Sequence, residues 1–225
     1  MKLDELVFFR QKICSFNQSN TEEYELLLRK KSPTGYCFPE YVLTEVISNH
    51  EKHKLYMEKV SMLLHQQLKN DNCFYSLNLD YQELYFEETF CFFENFEYKD
   101  RLRIELTERS PISYQSKEKA IDEIKKIKNL GYRIDLDDFL SGVNTYKTLL
   151  ALNPYIDRVK ISALEFKKYL TNTELQKFIF DVVTTIDFLD KEIVVEGVEE
   201  EEVLATFPKN WLQQSFYYDK PHNFS

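Results

Sequence analysis

Short runs in which polar and apolar residues alternate constrain this chain most, because the polar partner is so often a charge. Glu25-Leu26-Leu27-Leu28-Arg29, Ser76-Leu77-Asn78-Leu79-Asp80 and Arg103-Ile104-Glu105-Leu106-Thr107-Glu108 carry the pattern. Ile134-Asp135-Leu136-Asp137-Asp138 and Val159-Lys160-Ile161-Ser162 repeat it, and Val194-Val195-Glu196-Gly197-Val198 sets a glutamate after two valines. A two-residue period is that of a strand. Helical periodicity between most of these runs predicts parallel strands covered on both faces. Carboxylates buried in such strands cost several kcal/mol each unless paired or bound to a cation. Several strands aiming oxygen ligands at one centre supply what a hard divalent metal requires. The pattern therefore predicts an enzyme.

Composition narrows the alternatives. A length of 225 residues suits one domain or two, and α/β barrels often reach it as one. The 43% hydrophobic content supports a substantial core. A net charge of −9 without a basic cluster argues against gripping a DNA or RNA polymer. A small anion stays compatible, since bound metal ions invert the local field. Cys14, Cys37, Cys73 and Cys91 show no CxxC spacing and no paired histidines, and are expected to be reduced, mostly buried thiols. Acids at Asp4 and Glu5 interrupt the stretch where a signal peptide needs its apolar core. No run approaches a membrane span. A soluble, cytoplasmic protein without membrane association is expected.

Along the chain, strands are expected over Glu5 to Ile13 and Glu23 to Arg29, joined by a hairpin-like link from Ser15 to Thr21. Pro39 opens a helical stretch whose apolar face continues to about Lys69. Further strands are expected over Phe74 to Asp80, Arg101 to Glu108, Tyr132 to Phe139, Tyr155 to Ser162, Glu192 to Val198 and Trp211 to Tyr218. Helices fall at Ser116 to Asn129, capped by Gly131, around Thr145 to Ala151, at Leu175 to Leu189 and at Glu200 to Thr206. The Phe-rich segment Phe86 to Phe96 reads as core or dimer surface, and the histidines are assigned no chemistry. Eight strands with intervening helices predict a single barrel with its active site at the C-terminal strand ends.

Tyr24-Glu25-Leu26-Leu27-Leu28-Arg29, Leu77-Asn78, Glu105-Leu106-Thr107-Glu108, Asp137-Asp138-Phe139, Lys160-Ile161, Glu196-Gly197-Val198-Glu199 and Gln214 follow one another in the order seen in EAL domains. In these motifs the chain resembles that family, bacterial phosphodiesterases hydrolysing cyclic di-GMP to the linear dinucleotide pGpG. The resemblance runs from about Leu6 to Pro221 and implies one EAL-type domain over residues 1–225, standing alone. It implies an α/β, TIM-like (β/α)8 barrel whose first strand is antiparallel. Two Mg²⁺ or Mn²⁺ ions are implied, one held by Glu25, Asn78, Glu105 and Asp137, the second by Asp137, Asp138 and Glu196. It also implies that Lys160 touches the attacking water or a phosphate oxygen, with Gln214 supporting that water. Glu25 and Glu196 count among the catalytic groups as well as the ligands. Arg29 and Leu27 would lie at the substrate end of the second strand, and Glu108 would anchor the loop after Asp138. A homodimer is implied too.

Four positions depart from the usual family sequence. Leu26 stands in the Glu-Ala-Leu signature and is expected to face outward harmlessly. Leu140 replaces a glycine after Asp-Asp-Phe, and a leucine resists positive φ, so another loop conformation is expected. Ser162 replaces an aspartate two residues after the lysine, which removes a carboxylate from its face. Ser215-Phe216 replaces Gly-Tyr. Leu140 and Ser162 keep a rival alive, a non-enzymatic receptor for the nucleotide or a protein-interaction regulator. Taken singly the site residues have plainer readings. Arg29 suits a surface arginine, Lys160 an ion-pair partner of Asp137, and Gln213 takes the place of Gln214 if the register slips by one.

Overall fold

In the computed structural model, which describes residues 5–16, 22–109 and 117–224, the alternating runs become strands. Strand β1 (Leu6–Ile13) pairs antiparallel with β2 (Glu23–Ser32), in register from Leu6↔Lys30 to Ile13↔Glu23. β2 runs past Arg29 and turns through Pro33 and Thr34 into β3 (Gly35–Cys37), a hairpin partner too short to read from sequence. From β2 onward the main strands are parallel. They are β4 (Phe74–Leu79), β5 (Leu102–Leu106), β6 (Arg133–Leu136), β7 (Arg158–Ser162), β8 (Glu192–Glu196) and β9 (Leu212–Gln214), each beside the next. Backbone hydrogen bonds of 2.8 and 3.0 Å between Cys14 and Gln213 join β1 to β9 and complete a ring of eight. This is the TIM-like barrel with an antiparallel first strand.

Helices α1 (Glu40–Ser48), α2 (His50–Leu68), α3 (Glu87–Asn95), α4 (Lys117–Asn129), α5 (Tyr146–Leu152), α6 (Leu164–Lys167), α7 (Asn172–Ile186) and α8 (Glu201–Leu204) connect the parallel strands. The single stretch expected from Pro39 to Lys69 is two helices. Asn49 is extended at φ −134°, and its side chain accepts from the Lys52 amide, so it caps α2 and ends α1. Gly131, at φ +98°, ends α4 as expected. Residues 17–21 of the predicted link and Ser116 lie outside the described residues.

The barrel has inverted polarity. Tyr24, Leu26, Ile104, Leu106, Ile134, Leu136, Val159 and Ile161 are buried in the apolar core between sheet and helices. Residues of the opposite parity meet inside the ring, where parity rather than hydrophobicity sets what is buried. Near the N-terminal ends of the strands, Arg103 donates bidentately to Asp135 at 2.6 to 3.1 Å. Arg158 pairs with Glu23 and Glu192 and lies 3.5 Å from Asp135. This ionic floor is internally paired, as buried charges must be.

Several expectations need correction. The last strand ends at Gln214, not Tyr218, and the chain then turns back so that β10 (His222–Asn223) pairs with β1. None of the four cysteines is buried, and Cys37 and Cys91 are exposed; all four are free thiols. The Phe-rich segment supplies core through Phe92, Phe93 and Phe96. β6 stops at Leu136, which leaves Asp137 and Asp138 on the loop beyond it.

On that loop Leu140 adopts φ +77°, against the expectation that leucine would refuse it. Distant hydrogen bonds impose the shape. The Leu140 amide donates to Asn144 O at 2.8 Å, and the buried Asn144 amide donates to Leu106 O and Asp137 O at 2.8 and 2.6 Å. The left-handed backbone costs about 1–2 kcal/mol for a residue with a Cβ. Leu140→Gly relieves that strain but loses a half-buried side chain and adds about 0.5–1 kcal/mol of unfolded-state entropy. We expect its urea stability to stay within about 1 kcal/mol of the parent. A loss above about 2 kcal/mol would mean the leucine packs without strain.

Candidate active site

One layer above the ionic floor, strand parity brings four carboxylates onto a single ammonium. Lys160 Nζ lies 2.7 Å from Glu105, 2.8 Å from Glu196, 3.1 Å from Asp137 and 3.2 Å from Glu25. Lys160 is 1% exposed, so water does not share the load. An ammonium has three donors. Hydrogen-bond geometry holds toward Glu105 and Glu25 only, while Asp137 Oδ1 and Glu196 Oε1 are reached at ion-pair distance alone. Glu105 Oε1, fully buried, has no hydrogen-bond partner.

Glu25 is the best-supported acid. It accepts from Asn78 Nδ2 at 2.8 Å and Gln214 Nε2 at 2.6 Å, besides Lys160. Gln214, not Gln213, therefore faces inward; Gln213 points out to Leu204 O and the Tyr218 hydroxyl. Burial alone would push Glu25 upward, but Lys160 and these amides hold it below the usual carboxylate range. Burial pushes Glu105 and Glu196 well above that range, and Asp137 also upward, despite Lys160. Asp138 rises to about 7, through burial and the neighbouring charges of Asp137 and Glu108. For Lys160, burial favours the neutral amine, yet the surrounding carboxylates outweigh it and raise the group well above its ordinary value.

The residues fit divalent cations. Four carboxylates on one ammonium leave three formal negative charges, and buried oxygens lack partners. Oxygens of Glu108, Asp137 and Asp138 lie within 4.8 Å of one another. Acids and an amide oxygen are hard donors that suit Mg²⁺ or Mn²⁺. Glu108 thus turns its side chain toward this acid group, while its carbonyl accepts from the Val143 amide at 3.0 Å and holds the loop. Gly142 packs there at φ +48°, where a Cβ would stand 2.1 Å from Glu108 O.

These shifts give the metal-free protein a pH dependence. The raised acids bind more protons folded than unfolded between their unfolded values near 4 and their folded values. Those folded values are about 7 for Asp138 and about 8 for buried Glu83. Stability therefore falls as pH rises through that window. The raised Lys160 contribution is lost only above its ordinary value of 10.5, and the lowered Glu25 is already ionised, so neither offsets the fall. Urea titrations in chelator should show declining stability from about pH 5 to about pH 8, and added Mn²⁺ should flatten the slope. A flat profile in chelator would show that the acids titrate normally.

Above the acids opens a cavity of about 260 Å³, walled by Leu27, Arg29, Phe38, Arg109, Leu164 and Phe216. Arg29 is half-buried and donates to Leu28 O, so it is not a free surface arginine. No histidine lines the cavity among the described residues.

A family model for the EAL domain matches residues 1–210. The chain belongs to the EAL domain family. It is 28% identical over 158 residues to the cyclic di-GMP phosphodiesterase PdeR of Escherichia coli, which covers 69% of this chain and 22% of that protein. The EAL chain thus spans about a fifth of that relative's length. The manganese and cyclic di-GMP complex of Klebsiella pneumoniae BlrP1 superposes with TM-score 0.74 at 22% identity, over 98% of this chain and 57% of that one. The Pseudomonas aeruginosa FimX EAL domain bound to cyclic di-GMP gives 0.74 at 18% identity, over 98% and 92%. At these identities the structures establish the fold.

Within this EAL domain the sequence reading missed several interior groups. Arg103, Asp135 and Arg158 share parity with Glu105, Asp137 and Lys160, so the same two-residue period would have found the floor. Gln11, opposite Glu25 in register, lies 3.4 Å from Gln214 Nε2. Asp80 and Glu83 form a capping box beside the cavity; their signal is the Asp-x-x-Glu spacing. Arg109 follows its strand on a loop and carried no sequence signal.

Proposed function

We propose that this EAL domain hydrolyses cyclic di-GMP to linear pGpG with two divalent ions, Mg²⁺ or Mn²⁺. The observation that supports it most is the cluster of Glu25, Glu105, Asp137 and Glu196 around Lys160, a buried negative excess with partnerless oxygens. Glu25, Asn78, Glu105, Asp137, Asp138 and Glu196 would hold the ions. Bound there, the ions would neutralise the phosphodiester and acidify the attacking water.

The protein groups have separate tasks. Lys160, buried behind the acids, would turn its ammonium to the charge that develops on the phosphoryl oxygens once ions take over the carboxylates around it. Gln214 orients the nucleophile while its amide keeps Glu25 in place. Water adds to phosphorus and loses a proton, the P–O3′ bond breaks, and the leaving 3′ oxygen takes up a proton, so that one water is consumed per bond cleaved. Arg29 and Leu27 meet the substrate from the cavity wall.

Leu140 weakens the rival reading of a non-catalytic receptor, because the loop keeps a left-handed backbone there in spite of the leucine. Ser162 remains a departure; it is buried and paired in register with Glu196. A single domain, a homodimer and cytoplasmic residence belong to the same proposal. No helix among the described residues is long and apolar enough to cross a membrane.

Purified protein incubated with cyclic di-GMP and Mg²⁺ or Mn²⁺ should yield pGpG, and chelator should abolish the product. Intact substrate under both metals, with cyclic di-GMP still bound in a titration, would favour the receptor.

A further inference from the structure

The cavity joins an acidic cluster to a cationic pair. Glu25, Asp137, Asp138 and Glu196 line it together with the capping-box acids Asp80 and Glu83, and among the described residues lining it only Arg29 and Arg109 are cationic. Among the described residues Arg109 makes no close ion pair: its Nε lies 3.9 Å from Glu108 Oε1, beyond hydrogen-bond reach, and its side chain is 42% exposed. Its guanidinium lies over the Phe38 ring, 4.3 Å from the centroid, which fixes the charge at the mouth. Among the described residues Arg29 likewise has no carboxylate hydrogen bond, and its Nη1 donates to its neighbour's carbonyl. Burial pulls Arg29 below its ordinary value, the Glu25 carboxylate opposes that pull, and the charge of Arg109 adds to it, so the two guanidiniums feel each other. Two like charges sharing one mouth are relieved by an anion between them.

We propose that Arg109, acting with Arg29, grips the second, non-scissile phosphate of a cyclic dinucleotide and so sets the preference for a doubly anionic substrate. This rests on the phosphodiesterase reading above and adds a specificity residue to it. With one phosphodiester over the acidic cluster and its ions, the other phosphate of the same ring is the group of matching charge left for the cationic pair. Guanidinium forks suit phosphate oxygens better than a point charge does.

Arg109→Gln and Arg109→Lys are assayed in Mn²⁺ beside the parent, with cyclic di-GMP and with bis(p-nitrophenyl) phosphate, which has one phosphodiester and no second phosphate. The Gln variant should raise KM for cyclic di-GMP about tenfold or more, leave kcat within about twofold, and leave bis(p-nitrophenyl) phosphate cleavage unchanged. The Lys variant should recover only part of the affinity, since it keeps the charge but loses the fork and the stacking on Phe38. An unchanged KM overturns the assignment, and so does an equal loss on both substrates, which marks a structural role. GpG, with both guanines but one phosphodiester, serves as competitor; if its inhibition constant rises as much as KM does, Arg109 reads a base and the assignment falls. If the parent neither cleaves nor binds cyclic di-GMP, the phosphodiesterase reading itself fails and takes this assignment with it.

Discussion

Glu25→Ala is expected to lower metal-supported cleavage of cyclic di-GMP by on the order of 10³-fold while the metal-free protein loses only about 1–2 kcal/mol of stability. The two effects separate because Glu25 belongs to a cluster with excess negative charge. Its removal leaves Lys160 with Glu105, Asp137 and Glu196. Asn78 retains Leu26 O at 3.2 Å and Gln214 retains Gln11 at 3.4 Å, so the freed donors are not orphaned. Loss of one buried carboxylate also eases repulsion among the rest. The lost rate reflects several kcal/mol of charge stabilisation that a displaced ion no longer gives. Product separation and urea melts in chelator check both halves. Turnover within tenfold of the parent would remove Glu25 from the metal site, and a stability loss above about 3 kcal/mol would make the lost activity a folding effect.

Lys160→Met should do the reverse in chelator and destabilise the fold by about 3–5 kcal/mol. Among the described residues the ammonium is the one cation in contact with all four carboxylates, and methionine fills similar space without charge. The raised acids would then take up more protons, so the loss is expected to deepen as pH rises. Mn²⁺ should restore much of the stability, because ions take over the compensating charge, but not the turnover. Chemical denaturation with and without Mn²⁺ measures this. Equal stability of variant and parent in chelator would mean the four acids are neutral in the folded protein and need no cation.

The features legible in the sequence were those carried by parity within a strand. Glu25, Glu105, Lys160 and Gln214 all point inward because each stands an even number of residues from another interior group on its strand or in register beside one. Arg103 and Arg158 obey the same rule, but an arginine at the start of a strand is ordinary until its buried acid partners are known. The conformation of Leu140 was not local. Its own preference opposes φ +77°, and contacts to Asn144, itself bonded to Tyr81 from 63 positions away, impose it. β10 escaped because two residues carry no period; it exists through pairing with β1. Arg109 escaped for a third reason: an exposed arginine on a loop is ordinary until the cavity beside it is known.

The ring of strands is fastened between β1 and β9 by the Cys14–Gln213 bridge, reinforced by the Lys12 amide on Asp219 at 2.8 Å. One residue beyond that clasp stands Gln214, whose side chain holds Glu25. The seam that closes the wall and the hydrogen bond that steadies the acid thus share one short stretch of chain, so a local opening there would loosen both together, well short of unfolding.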